Sequence, residues 1–165
     1  MKILGVDPSL RSTGYGLIEA HANEMRAIVY GDIKNRADML PSQCLVRIGD
    51  TVMRLVDEHK PDVLAVEGLV YVQNTKIAFT LGQVRGVIIA VAAKNGVPVY
   101  EYAPRKVKQS VTGLGGAGKQ QVAHMVKAQL GLKEVPPEDA GDALAIAICH
   151  AQSCRSLQLN PPKPI

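Results

Sequence analysis

The 165-residue sequence predicts an α/β fold, with one mixed five-stranded sheet and helices on both faces. Short apolar runs typical of buried strands alternate with longer segments whose apolar residues recur at helical spacing. The first three strand-like runs follow one another with no helix between them, which favours an antiparallel start. No internal repeat or linker divides the chain, so residues 1–156 are expected to form one domain.

Five segments carry the strand pattern. KILGV ends at Asp7 and Pro8, and YGLIE and MRAIVYGDI follow it after short polar loops. These three runs predict consecutive antiparallel strands. DVLAVEG, which ends at Glu67 and Gly68, and VPVYEY predict the two strands that complete the sheet.

Four segments carry the helix pattern. Residues 44–61 place apolar side chains three and four apart and stop at Pro61. TKIAFTLGQVRGVIIAVAAKNG predicts a long helix with a glycine past its end, and GKQQVAHMVKAQLG predicts a shorter one. The prolines of PPEDAGDALAIAICHAQSCRSL stand where a last helix would begin. The Pro-rich tail, residues 157–165, is expected to be disordered.

Basic residues are concentrated in the middle of the chain. Residues 76–127 contain eight Lys and Arg and a single acid, Glu101, whereas both flanking regions are slightly acidic. This distribution predicts a face for a polyanion, with DNA or RNA as the leading candidate, although a solvated basic surface is an equally good reading. Lys76, Arg85, Lys108 and Lys119 are the candidate contacts within this region.

The cellular compartment is indicated by the cysteines and by the apolar runs. The three cysteines are odd in number and lack a C-x-x-C pair, which favours reduced thiols in a cytoplasmic protein. No apolar run is expected to reach the length of a membrane span, and GVIIAVAA, closed by Lys94, is the longest.

Four carboxylates stand at chemically informative places. Asp7 ends the first predicted strand and Glu67 ends the fourth, while Asp139 and Asp142 open the last helix on one face. Ligand sites in α/β folds gather outside strand ends. Four acids that meet there cannot all stay ionised without a cation, so the pattern predicts Mg²⁺, with Mn²⁺ as a substitute. Two such ions can promote phosphodiester hydrolysis.

Each acid also has an ordinary structural explanation. Asp139 can complement the helix macrodipole from the first turn, and Asp7 can be a turn residue before Pro8. Asp142 lies deeper, in front of an apolar run. Glu67 is the least ordinary, because Glu is a poor strand former. The set of four is therefore more informative than any one member.

A second motif, GLGGAGKQ at residues 113–120, fits the G-x-x-x-x-G-K pattern of a phosphate-binding loop. Gln120 stands where that loop needs Ser or Thr to bind Mg²⁺, and the preceding RKVKQSVT does not resemble a buried strand. We interpret the glycines as a mobile loop that brings Lys119 or backbone N–H groups to a phosphate.

Five segments in register resemble the RuvC family of Holliday-junction resolvases. They are GVDPSLRSTGYGLIE, AVEG, LGQVRGV, EYAPRKVKQSVTG and PEDAGDALAIAICH, and the match runs in order from about residue 1 to 155. The resemblance implies a ribonuclease-H-like fold and a Mg²⁺-dependent homodimeric endonuclease that cuts four-way DNA. It also implies cooperation with the branch-migration proteins RuvA and RuvB.

By position, the resemblance makes Asp7, Glu67, Asp139 and Asp142 the metal-binding catalytic acids. Lys108 and Lys119 match family lysines that lie close to DNA. Val70 occupies the place where many relatives carry Phe, so we predict that the adjacent Tyr71 stacks on an exposed base instead.

Two other function classes compete with a nuclease. An actin-like or sugar-kinase-like phosphotransferase also carries Asp on its first strand, but it needs two such domains. A non-catalytic DNA-binding module would use only the basic middle, and retention of all four acids counts against it.

Overall fold

The computed structural model describes residues 1–22, 24–68, 74–155 and 162–165. Within these ranges the chain forms five strands and five helices, and the predicted α/β fold with a mixed five-stranded sheet is confirmed. In chain order the elements are β1 (Lys2–Asp7), β2 (Ser12–His21), β3 (Glu24–Lys34), α1 (Pro41–His59), β4 (Val63–Glu67), α2 (Thr75–Lys94), β5 (Val99–Tyr102), α3 (Pro104–Thr112), α4 (Lys119–Leu130) and α5 (Glu138–Arg155).

The sheet has the strand order β3-β2-β1-β4-β5. The β1–β2 and β2–β3 pairs are antiparallel, as the uninterrupted run of three strands predicts, whereas β1–β4 and β4–β5 are parallel. Because neighbouring parallel strands end at the same edge of a sheet, Asp7 and Glu67 lie at that edge on adjacent strands.

Side chains of each strand alternate between two apolar layers. On β1, Ile3 packs with residues of α3, α4 and α5, whereas Leu4 and Val6 pack with residues of α1 and α2. Strand β4 alternates in the same way. By this period of two, Asp7 and Glu67 belong to the face that α5 covers.

Helix α3 was not predicted from the sequence. Val107 and Val111 are buried one turn apart, and Pro104 occupies the first turn. Gly113, with φ of +79°, ends the helix. Helix α3 is short and most of its other positions are polar, so the sequence shows only two apolar residues at helical spacing. Their role is clear in the structure, where they pack with residues of α5.

Helix α2 is long and apolar enough to cross a membrane, judged by length and composition alone. This finding corrects the expectation that no stretch reaches that length. The apolar stretch includes residues on both sides of Arg85. The charge of Arg85 is paired with Glu101 within the fold. Near the start of the helix, Ile77 is 55% exposed and Phe79 is 76% exposed.

Candidate active site

The N-terminal part of α5 lies directly on β1 and β2, because glycines stand where side chains would keep the helix away. A Cβ atom at Gly5 would overlap the carbonyl oxygen of Ala143, and one at Gly14 would overlap that of Asp139. Gly14 is also the cross-strand partner of Asp7. The glycines therefore bring the acidic start of α5 beside the end of β1.

The four predicted acids come together at this end of the sheet. Burial, followed by repulsion from the carboxylates of Glu67, Asp142 and Asp139, raises the pKa of Asp7 to about 7. The structure thus places Asp7, Glu67, Asp139 and Asp142 close enough for the charges of the other three to act on Asp7. Their role as metal-binding catalytic acids stays a prediction.

Two more acids of the set also have raised pKa values. Burial is the largest cause for both Glu67 and Asp142, and the charge of Asp142 adds to the effect on Glu67. Lys108 and Lys119 oppose these shifts and lower the pKa of both carboxyls. The two lysines are therefore close enough to the acids to act on their charge.

Asp139 has a partner that the sequence did not reveal. Ser12, the first residue of β2, donates a hydrogen bond from its hydroxyl to the Asp139 carboxylate. The two residues lie 127 positions apart, so no local pattern signals the contact. The neighbouring Glu138 instead forms an exposed ion pair with Lys119. Asp139 also lies in the first turn of α5, so its macrodipole role stays open.

The donor set suits a hard divalent cation in its chemistry. All four side chains offer carboxylate oxygens. Burial first, and neighbouring carboxylates second, raise the pKa values of Asp7, Glu67 and Asp142, so a bound cation would relieve both effects. Within the described residues, however, no three Asp, Glu, His or Cys side chains converge on one point as metal ligands would. The residue types therefore fit Mg²⁺ or Mn²⁺.

The predicted DNA contacts fall into different surroundings. Lys119 is exposed at the start of α4, and Lys108 is partly buried on α3. Lys76 is exposed at the start of α2, where it lines a groove with Pro8 and Arg11 from the loop after β1. These three lysines surround the end of the sheet that carries the acids.

Arg85 lies in a quite different place. It is 7% exposed, and its guanidinium donates to the Glu101 carboxylate and to the main-chain carbonyl of Glu67. In this placement the guanidinium is not available to DNA. Arg85 was predicted to lie on the basic face because nothing in the local sequence indicates that Glu101 is its partner.

Tyr71 and Val70, the residues of the predicted stacking position, lie outside the described residues, so base stacking by Tyr71 stays a prediction. The glycine-rich loop at 113–118 is described, and it follows helix α3. In the described region 104–130 no strand precedes these glycines, so they lack the arrangement of a phosphate-binding loop.

Comparison with known proteins adds a family and a fold. Residues 3–150 match the family model of crossover junction endodeoxyribonuclease RuvC. The RuvC of Syntrophomonas wolfei is 48% identical over 156 residues, which cover 94% of this chain and 91% of that protein. The RuvC of Moorella thermoacetica is 48% identical over 152 residues, which cover 92% and 91% respectively.

Solved structures agree with the sequence comparison. Thermus thermophilus RuvC in complex with a Holliday junction substrate superposes with a TM-score of 0.92 at 34% identity, covering 100% of this chain and 99% of that one. The yeast mitochondrial Holliday junction resolvase Ydc2 has a TM-score of 0.62 at 13% identity, covering 91% of this chain and 78% of that one. The latter likeness concerns the fold alone.

Proposed function

This chain belongs to the RuvC family of crossover junction endodeoxyribonucleases, and on that premise we propose that it resolves four-way DNA junctions in recombination and repair. One observation of the structure supports this proposal above the others. The end of the sheet gathers four carboxylates from β1, β4 and α5, and the pKa of Asp7 reaches about 7 there. An accumulation of buried negative charge is what a cation-dependent phosphodiesterase requires.

Asp7, Glu67, Asp139 and Asp142 would hold the cation, with Mg²⁺ as the natural ion, Mn²⁺ as a substitute and two ions per site. When bound, such ions lower the pKa of a water molecule and stabilise charge on the leaving oxygen. The oxygen-only donor set supports this assignment, because Cys and His ligands would favour softer metals.

The chain's own residues supply the rest of the site. The charges of Lys108 and Lys119 act on the acids, which supports a role for their ammonium groups in holding phosphates of the junction near the cut. Lys119 would exchange its exposed partner Glu138 for a phosphate. Ser12 orients Asp139 through its hydroxyl. Attack by water in line with the leaving group would give a 5′-phosphate and a 3′-hydroxyl.

We also propose a homodimer, because paired symmetric cuts require two sites. The start of α2 carries the exposed Ile77 and Phe79 and a mostly apolar depression beside them. A patch of this kind is typical of a protein interface. Contact between two copies through α2 would cover it and set two acid clusters against the two-fold symmetry of an opened junction.

Cooperation with RuvA and RuvB and a cytoplasmic location complete the proposal. Family membership supports the first, since branch migration delivers the junction to be cut. Cys44, Cys149 and Cys154 all lie in described parts of the chain and form no disulfide, which is compatible with a reducing compartment.

The test uses a labelled synthetic four-way junction, a linear duplex of the same sequence, and ATP, each with Mg²⁺ or with EDTA. We expect paired nicks at related positions in the junction, only with Mg²⁺, and products that a ligase seals. Cutting of the duplex at the same rate would contradict junction resolution. Transfer of phosphate from ATP would favour a phosphotransferase instead.

A further inference from the structure

Arg85 is a buried charged residue that the proposed chemistry does not use. It lies in the middle of α2, and its guanidinium spans two partners on neighbouring strands. One partner is the Glu101 carboxylate on β5, and the other is the main-chain carbonyl of Glu67 at the end of β4. A guanidinium offers several donors in a rigid plane, so one side chain can fix both groups at once.

The chain around Glu67 is held from a second side. The N–H of Gly68 donates to the Tyr102 carbonyl at 2.9 Å. A Cβ at Gly68 would lie only 3.0 Å from Oε1 of Glu101, so the Glu101 carboxylate covers the backbone directly after Glu67. The Arg85–Glu101 pair therefore clamps the point where the chain leaves the sheet.

The position of this clamp distinguishes it from a general stabilising pair. Removing the guanidinium would leave the Glu67 carbonyl without this donor and leave Glu101 without its counter-ion. Both losses fall within one residue of a carboxylate that has to be placed accurately. The neighbouring core residue Val84, in contrast, is fully buried within the apolar cluster that α1 and α2 form on the other face of the sheet.

We propose that Arg85, paired with Glu101, is a positioning residue that fixes the end of β4 and with it the Glu67 carboxylate. The inference rests on the proposed function, because it assigns Glu67 to the cation site. Arg85 is not placed among the groups that react. It acts through the backbone of Glu67 and through Glu101, and its positive charge also opposes the raised pKa of the Glu67 carboxyl. Displacement of a ligand by a fraction of an ångström is enough to impair catalysis.

The experiment compares Arg85→Gln, Arg85→Lys and Val84→Ala with the full-length wild-type chain. Arg85→Gln should slow single-turnover junction cleavage at saturating Mg²⁺ by about tenfold or more. It should raise the Mn²⁺ concentration needed for half of the metal-induced melting shift, an activity-independent readout, by about tenfold. Junction affinity in Ca²⁺ should change by less than about twofold, since Arg85 does not touch DNA.

The two other variants separate positioning from folding. Lys keeps the charge but lacks the planar fork, so Arg85→Lys should fall between Gln and the wild type in both readouts. Val84→Ala should lower the melting temperature while leaving the Mn²⁺ dependence unchanged. A parallel rise in the required Mn²⁺ for Val84→Ala would overturn the proposal, because instability alone would then explain the effect.

The remaining outcomes are also decisive. Wild-type cleavage and Mn²⁺ dependence in Arg85→Gln would refute a positioning role, and a large loss of junction affinity would make Arg85 a DNA contact after all. Failure of the proposed function is visible separately, since the wild-type chain would then neither cut junctions nor show a melting shift with Mn²⁺.

Discussion

The two sides of the acid cluster are held in place by different means. Asp7, Asp139 and Asp142 belong to the unit of β1, β2 and α5, where glycines let backbones touch. Glu67 belongs to the unit of β4, β5 and α2, where the side chains of Arg85 and Glu101 secure the strand end. Contact between backbones leaves little freedom of adjustment, whereas a side-chain clamp can be loosened while the surrounding core remains. Substitution of a packing residue on the first side should therefore lower the stability of the fold. Substitution of Arg85 or Glu101 on the second side should mainly displace Glu67.

Substitution of the acids themselves should have the largest effects, and it tests whether both sides of the cluster contribute equally to catalysis. Asp7→Asn, Asp142→Asn and Glu67→Gln should each lower junction cleavage by at least ~10²-fold while junction binding persists. Cleavage and gel-shift assays on the same preparations decide this. Near-normal cleavage by any one variant would remove that residue from the site. Asp139→Asn should have a smaller effect if the first turn of α5 is its main role.

A substitution at Gly14 should break the backbone-packed side. A methyl group there meets the Asp139 carbonyl, so Gly14→Ala should cost about 1–3 kcal/mol of stability, or several degrees of melting temperature, and reduce cleavage. Gly86 in α2 is the matched control, since nothing lies within 4 Å of a Cβ there. Gly86→Ala should stabilise the chain by up to ~1 kcal/mol. Equal melting temperatures for both variants would show that the helix can move away.

The protonation of Asp7 sharpens the comparison through pH. Its folded pKa of about 7 lies above its ordinary value of 3.8, so the folded state holds the proton more tightly than the unfolded chain. Without metal, protonated Asp7 therefore favours the folded state. This stabilisation is fully present below about pH 4 and is lost as the pH rises towards 7. In EDTA, Asp7→Asn should therefore exceed the wild type in stability at pH 7.5 by on the order of 1–3 kcal/mol, and by much less at pH 4.5.

Thermal melting of both proteins at the two pH values measures this difference. Mg²⁺ should reduce it at pH 7.5 by stabilising the wild type. A difference that does not depend on pH would mean that burial and the neighbouring carboxylates do not raise the pKa of Asp7.

The smallest effects concern the lysines around the cluster. Lys108→Ala and Lys119→Ala should each reduce cleavage and lower the slope of log affinity against log salt by up to ~1. Lys60, which follows α1 near the opposite end of β4, serves as the control. Solvated surface charge would give all three variants the same slope and rate.

The acids of the site were easier to predict from the sequence than the residues that hold them in place. The four acids could be predicted because carboxylates at strand ends and on one helix face are unusual in themselves. The roles of Gly14 and Ser12 could not, because both depend on α5, which lies more than 120 residues away. Arg85 was placed on the surface by its charge, since local pattern carries no sign of a partner on β5.

Strand β3 forms one edge of the described sheet and is eleven residues long. An unpaired edge of this length can template the strand of another molecule and so begin aggregation. The pairing of β2 with β3 shifts register between Leu17 and Ile18, which twists the edge locally. Arg26 and Lys34 add exposed charges along it. These features protect the folded protein from association through β3, without involving the surfaces assigned to DNA and to a second copy.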